Sequence, residues 1–84
     1  MMKVRVLFFG ATAVEAGTSE AELKLEEGAG AEAVFSEIID RYPELIASRD
    51  RRSLLFAVNQ EYVKGDELLK NGDELAVFTA VSGG

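Results

Sequence analysis

Two different repeats of apolar and polar residues run along this chain, and the points where one gives way to the other mark its elements. Across residues 3–9 the period is two: Val4, Val6 and Phe8 share one face, and Arg5, Leu7 and Phe9 the other. This predicts a strand. The arginine marks the second face as the wetter one, which leaves Phe9 as a large ring on a face that begins with a charge. Residues 10–19 contain Gly10, Gly17, Thr18 and Ser19 and read as a connection. Glu20-Ala21-Glu22-Leu23-Lys24-Leu25 then alternates charged and apolar without a slip, the pattern of a strand with one face in water, expected to pair with the first.

After Glu26-Glu27-Gly28-Ala29-Gly30 the period changes. Val34, Phe35, Ile38, Ile39 and Tyr42 recur at helical spacing, with Glu32, Ser36, Glu37, Asp40 and Arg41 opposite, which predicts a helix from Ala31 with one apolar stripe. Glu32 suits the positive end of the helix dipole, Arg41 suits the negative end, and Pro43 stops the helix. No Ser, Thr, Asp or Asn caps the start, and Gly30 is a weak substitute. Leu45 and Ile46 are expected to tuck under the sheet. Residues 47–53 read as a charged loop in which Arg49-Asp50-Arg51-Arg52 is a solvated turn.

Residues 54–58 form a continuous apolar run, predicted as a well-buried strand, and Asn59 in the following turn tolerates a left-handed conformation. Glu61-Tyr62-Val63 briefly resumes the extended pattern. Lys64-Gly65-Asp66-Glu67 turns again, Leu68 and Leu69 are expected to anchor the loop, and Asn71-Gly72-Asp73 is a strong turn signal. Residues 74–79 make the last strand, with Leu75 and Val77 on one side and Glu74, Ala76 and Phe78 on the other. One helix laid across a mixed sheet of four or five short strands is an α+β arrangement in a single domain. The helix covers one sheet face, so the other must accommodate Leu7, Phe9, Ala76 and Phe78. Two rings on a face otherwise marked by charge are either a satellite cluster or a contact site for a partner.

Composition narrows the chemistry. At 84 residues and 48% hydrophobic content, one modest core is within reach. The absence of cysteine excludes disulfides and thiolate-ligated zinc or iron–sulfur sites and suits a cytoplasmic location. The absence of histidine removes the commonest general base, the usual metal ligand and any Ser-His or Cys-His pair. A net charge of −6 repels phosphate backbones, so nucleic acid is not an expected partner. The apolar run over residues 6–14 is interrupted by Gly10 and Thr12 and closed by Glu15, too short to span a bilayer, so no membrane association is expected. Glu20, Glu22, Glu26 and Glu27, and Asp66, Glu67, Asp73 and Glu74, fall on alternate strand positions and turns and read as solvated surface, with no metal site. Gly28-Ala29-Gly30 lacks the lysine and serine of a phosphate loop and follows two glutamates.

What remains is the carboxyl end. Residues 1–80 are expected to form the folded domain and residues 81–84, Val81-Ser82-Gly83-Gly84, a flexible tail. Two glycines cost entropy to order and bury nothing, but a backbone without Cβ atoms enters a channel too narrow for other residues. Four residues reach at most about 14 Å. The terminal carboxyl group, with a pKa of roughly 3.5, is an anion at neutral pH and a poor electrophile, so another enzyme must activate it. This favours a carrier over an enzyme; the plainer alternative is a frayed end.

Three stretches carry a resemblance to a known family: Val6-Leu7-Phe8-Phe9-Gly10, Ala57-Val58-Asn59-Gln60-Glu61-Tyr62-Val63, and Asn71-Gly72-Asp73-Glu74-Leu75-Ala76-Val77-Phe78 with Val81-Ser82-Gly83-Gly84. Together they resemble the small subunit of molybdopterin synthase, a ubiquitin-like sulfur carrier, and length and element order agree along the whole chain. Thr79-Ala80 stand where that family usually has two prolines. The resemblance implies a β-grasp (ubiquitin-like) fold and a subunit that is not catalytic alone. It implies that an ATP-dependent activating enzyme adenylates the carboxylate of Gly84, preceded by Gly83, and that a sulfur donor converts the adenylate to a thiocarboxylate. No cofactor would be bound by this chain. The large synthase subunit would then use the sulfur to form the molybdopterin dithiolene from cyclic pyranopterin monophosphate. The family's partner contacts fall on Phe9, Tyr62 and Phe78, with Val81 and Ser82 in the tail. The motifs are shared with the thiazole-synthesis sulfur carrier and with ubiquitin-like protein modifiers, which stand as alternatives.

Overall fold

Strand β1 (Met2–Phe8) is laid between an antiparallel neighbour, β2 (Glu20–Leu25), and a parallel one, β5 (Glu74–Thr79), the last element of the sheet. The computed structural model describes residues 1–47, 50, 53–62 and 68–79. Between these strands the chain forms helix α1 (Ala11–Ala16), helix α2 (Ala31–Arg41), a 3-10 turn (Pro43–Ile46), and strands β3 (Leu54–Val58) and β4 (Glu61–Tyr62). The five strands run in the order β2-β1-β5-β3-β4, so the last strand in sequence is the central one in space. Strand β3 pairs antiparallel with both β5 and β4.

The alternation of β1 is obeyed residue by residue. Val4, Val6 and Phe8 are buried on the inner face, joined there by Leu23, Leu54, Phe56, Leu75 and Val77. Helix α2 covers this face with Ala31, Val34, Phe35 and Ile38; Phe35 stacks on Phe56 with ring centroids 3.8 Å apart, and Phe8 meets Tyr42 edge-on at 5.0 Å. Each of the valine, isoleucine and phenylalanine side chains, taken fully out of water, contributes about 1.5–3 kcal/mol. Helix α2 begins at Gly30 without a side-chain cap, carries Glu32 in its first turn and Arg41 in its last, and ends before Pro43. Those boundaries are the ones the sequence predicts.

Several expectations need correction. Residues 10–19 are not a plain connection, because α1 occupies their middle, held between Gly10, which offers no side-chain cap, and a left-handed Gly17 whose N–H donates to the Ala13 and Val14 carbonyls. Six residues are too few to display a helical period, and the two glycines that read as loop signals are its ends. Of Leu45 and Ile46 only Leu45 is buried, and of Leu68 and Leu69 only Leu69 is. A single turn can direct one of two adjacent side chains inward. Strand β3 is not buried throughout: Leu54, Phe56 and Ala57 are buried, while Leu55 and Val58 are half-buried. The turn over residues 64–67, Val63, and Arg49, Arg51 and Arg52 lie outside the described residues. Among the described residues no helix is long and apolar enough to cross a membrane.

Candidate functional site

Register alone orders the sheet face that α2 leaves uncovered, because residues directly opposite in a ladder share a face. Glu22, Arg5 and Glu74 form one row across β2, β1 and β5; Glu20, Leu7, Ala76 and Ala57 form the next; Phe78 and Leu55 form a third. The face therefore grades from charged, near the start of β1, to apolar, near its end. Phe9 follows β1 at the apolar end and is 52% exposed, whereas Leu7, Leu55, Ala76 and Phe78 are half-buried. The backbone of Tyr62 is paired opposite Ala57 in β4. Thus the backbone at Phe9, bonded to the Val77 carbonyl, follows β1 alongside the Val77–Phe78 stretch of β5 at one end of the sheet, and the backbone of Tyr62 lies in the edge strand β4. Val81, Ser82, Gly83 and Gly84 lie outside the described residues, which reach Thr79 at the end of the central strand.

The charged end is internally paired. Arg5 donates from Nε to Glu20 Oε1 at 2.9 Å and from Nη2 to Glu20 Oε2 at 3.1 Å, and its Nη1 lies 3.7 Å from Glu74 Oε2. Hydrogen bonding to Arg5, with the guanidinium charge behind it, holds the Glu20 carboxyl below the usual glutamate range, and the same hydrogen bond raises Arg5. Both side chains are 53% exposed, so solvent screens the pair, and its role is to define the wet margin of the face.

The acidic and amide residues of the last turn are occupied structurally. Asp73 accepts from the Lys70 N–H at 2.8 Å and from Asn59 Nδ2 at 3.0 Å; Asn59 Oδ1 in turn accepts from the Glu74 N–H at 3.1 Å. Asn71 Oδ1 accepts from the Lys3 N–H, and the Gly72 N–H donates to the Lys3 carbonyl, both at 2.8 Å. Asn59 sits at φ 50, as its residue type suggests, and Gln60 follows at φ 72. This network clamps the start of β5 to β1 and to the turn after β3. Among the described residues no group of three His, Cys, Asp or Glu side chains could hold a metal ion.

One residue that sequence reasoning passed over stands out. Thr12, in α1, is the buried polar side chain of the described residues, and its hydroxyl lies between the carbonyls of Phe9 and Val77. No signal marked it, since its neighbours read as loop.

A mixed five-stranded sheet with one principal helix on one face, a half-apolar opposite face and a central last strand defines a small ubiquitin-like β-grasp protein. The chain belongs to the ThiS family, whose model matches residues 6–84. It is 38% identical over 85 residues to the molybdopterin synthase sulfur carrier subunit of Chlamydomonas reinhardtii, covering 99% of this chain and 100% of that one. Among solved structures it is similar to a Pyrococcus furiosus chain assigned as molybdopterin converting factor, subunit 1, with a TM-score of 0.85, 34% identity, and coverage of 96% of this chain and 100% of that chain. The fold is shared as well with a chain in the complex of subunits 1 and 2 of the Helicobacter pylori molybdopterin-converting factor, at TM-score 0.69 and 21% identity, over 99% and 100% of the two chains.

Proposed function

We propose that this chain is the sulfur-carrier subunit of a cytoplasmic molybdopterin synthase. The observation that carries the reading is the 38% identity to a subunit of that name, maintained over essentially the full length of both chains. The geometry supports it: an apolar half-face with an exposed Phe9 and a neighbouring Phe78 suits a protein partner, and the strand that precedes the glycines is the central one. Phe9, Tyr62 and Phe78 contact the large subunit, and Val81 and Ser82 lead Gly83 and Gly84 into its active site.

The chemistry follows from the inertness of a carboxylate. An activating enzyme lets the Gly84 carboxylate oxygen attack the α-phosphate of ATP, releasing pyrophosphate and leaving an acyl adenylate. Sulfide-level sulfur from a donor, delivered as HS−, then adds to the carbonyl carbon and the carbon–oxygen bond to AMP breaks, giving a thiocarboxylate. ATP is thus used by the activating enzyme, and this chain contributes an acyl carbon and a shape to hold. In the large subunit the thiocarboxylate sulfur bonds to the pterin precursor, cyclic pyranopterin monophosphate, and water cleaves the acyl carbon–sulfur bond, so that the sulfur stays on the pterin and a carboxylate returns; the dithiolene of molybdopterin holds two sulfurs, so two loaded chains are consumed for each one made.

The test is the intact mass of the protein isolated from its own cells, together with product formation from the pterin precursor on adding the large subunit. One oxygen exchanged for sulfur, and turnover with that subunit, are expected. Turnover only with a thiazole-forming enzyme, or isopeptide-linked conjugates on lysines of other proteins, would replace this reading.

A further inference from the structure

At the corner where β1 gives way to α1, one buried side chain touches both the residue that follows β1 and strand β5, on which the proposed partner face depends. Thr12 Oγ1 lies 2.6 Å from the Phe9 carbonyl oxygen and 2.9 Å from that of Val77. A hydroxyl has one proton to donate, so the two oxygens share it in a three-centre bond. Both carbonyls have another donor: the Thr12 N–H reaches Phe9 O at 3.2 Å, and the Phe9 N–H reaches Val77 O at 3.0 Å. Removing the hydroxyl therefore leaves neither acceptor without a partner. What the hydroxyl adds, beside the direct bond from the Phe9 N–H, is a second link between the backbone of Phe9 and that of Val77, the neighbour of Phe78, and this one engages the Phe9 carbonyl. The link falls where it matters, since Phe9 is past the end of β1 and the next residue, Gly10 at φ 59 and ψ −130, supplies no side-chain restraint.

We propose that Thr12 is a positioning residue for the partner face: its hydroxyl fixes Phe9 against the end of β5, so that the Phe9 and Phe78 rings are presented to the large subunit in one set relation. This rests on the functional reading above. Thr12 touches neither the reacting carbon nor the partner and acts through Phe9.

The experiment compares wild type, Thr12→Val and Thr12→Ser as full-length thiocarboxylated chains, measuring sulfur transfer against large-subunit concentration well below each variant's melting temperature. Thr12→Val keeps the shape and removes the donor; it should raise the KM for the large subunit about fivefold, the worth of one ordinary hydrogen bond, and leave kcat within about twofold. Thr12→Ser, which keeps the donor, should return KM to within about twofold of wild type. A role in folding alone would lower the melting temperature and leave KM unmoved. An unchanged KM in Thr12→Val, or a Thr12→Ser variant as impaired as the valine, overturns the proposal. Should Thr12→Val not fold, proton NMR of the wild type decides: a slowly exchanging Thr12 hydroxyl proton close to Phe9 and Val77 is expected, and fast exchange overturns the cross-link. A wild type that neither binds the large subunit nor transfers sulfur removes the functional reading and this proposal with it, whereas an active wild type beside an equally active valine variant removes only the role of Thr12.

Discussion

Phe9 and Gly10 are adjacent and answer to different demands. Phe9 leaves about half its surface in water, so truncating it sacrifices little burial. Phe9→Ala should change unfolding free energy by about 0.5 kcal/mol or less, while weakening association with the large subunit about tenfold or more, as aromatic anchors do at interfaces. Chemical denaturation and isothermal titration separate the two effects. Gly10 has the reverse profile. A Cβ there would meet no atom within 4 Å, but φ of 59 with ψ of −130 is a conformation that side chains strongly disfavour. Gly10→Ala should therefore cost about 1–3 kcal/mol from backbone strain alone, and the melting temperature of so small a domain should fall by roughly 4–8 °C for each kcal/mol. Arg5 and Glu20 supply a third measurement. Because the folded Glu20 pKa is depressed, the pair's contribution is present above the ordinary glutamate pKa and is lost as pH falls through the lower folded value. Carboxyl NMR should find Glu20 titrating below an ordinary glutamate, and Arg5→Met should return it to the usual range.

Elements differ in how much of their construction a single sequence displays. Helix α2 has eleven residues, enough for its stripe to repeat three times, and the stripe is what the core uses: Val34, Phe35 and Ile38 are buried while Ile39 sits at the margin. Ile38→Ala should accordingly cost about 2–5 kcal/mol, and Ile39→Ala clearly less, in urea unfolding. The faces of β1 and β5 were equally legible, since period-two alternation assigns every side chain once the buried face is known. What was not legible depends on contacts distant in sequence. Helix α1 is too short for its pattern to outweigh flanking glycines, and the value of Thr12 comes from a carbonyl sixty-five positions away. Strand β3 looked uniformly apolar, yet its alternate residues differ because Leu55 belongs to the open face beside Phe78. The candidate site was legible in part: alternation put Phe9 and Phe78 on the wetter face, whereas the backbone position of Tyr62 opposite Ala57 required the pairing of β4 with β3.

At the scale of the whole molecule, the proposed function asks the folded body to hold and Gly84 to react. Every backbone ladder in the described sheet closes by Thr79, and the network of Asn59, Asn71 and Asp73 fixes the start of β5 from the opposite end. These ladders and turn bonds all join residues 2–79. Deleting Gly84 should thus leave the melting temperature and the amide chemical shifts of residues 2–79 unchanged, because a terminal glycine has no side chain to bury and the described ladders close among residues 2–79. The reaction should fare differently. Removing one residue withdraws the terminal carbonyl by about 3.5 Å along an extended backbone, which exceeds the near-attack tolerance of an acyl or sulfur transfer. The shortened chain should still bind the large subunit through Phe9 and Phe78 and compete with the intact one, yet transfer no sulfur. A competition assay reads both outcomes at once: inhibition of wild-type turnover with no product of its own is expected, and full activity of the shortened chain would mean that the chemistry resides elsewhere in the body.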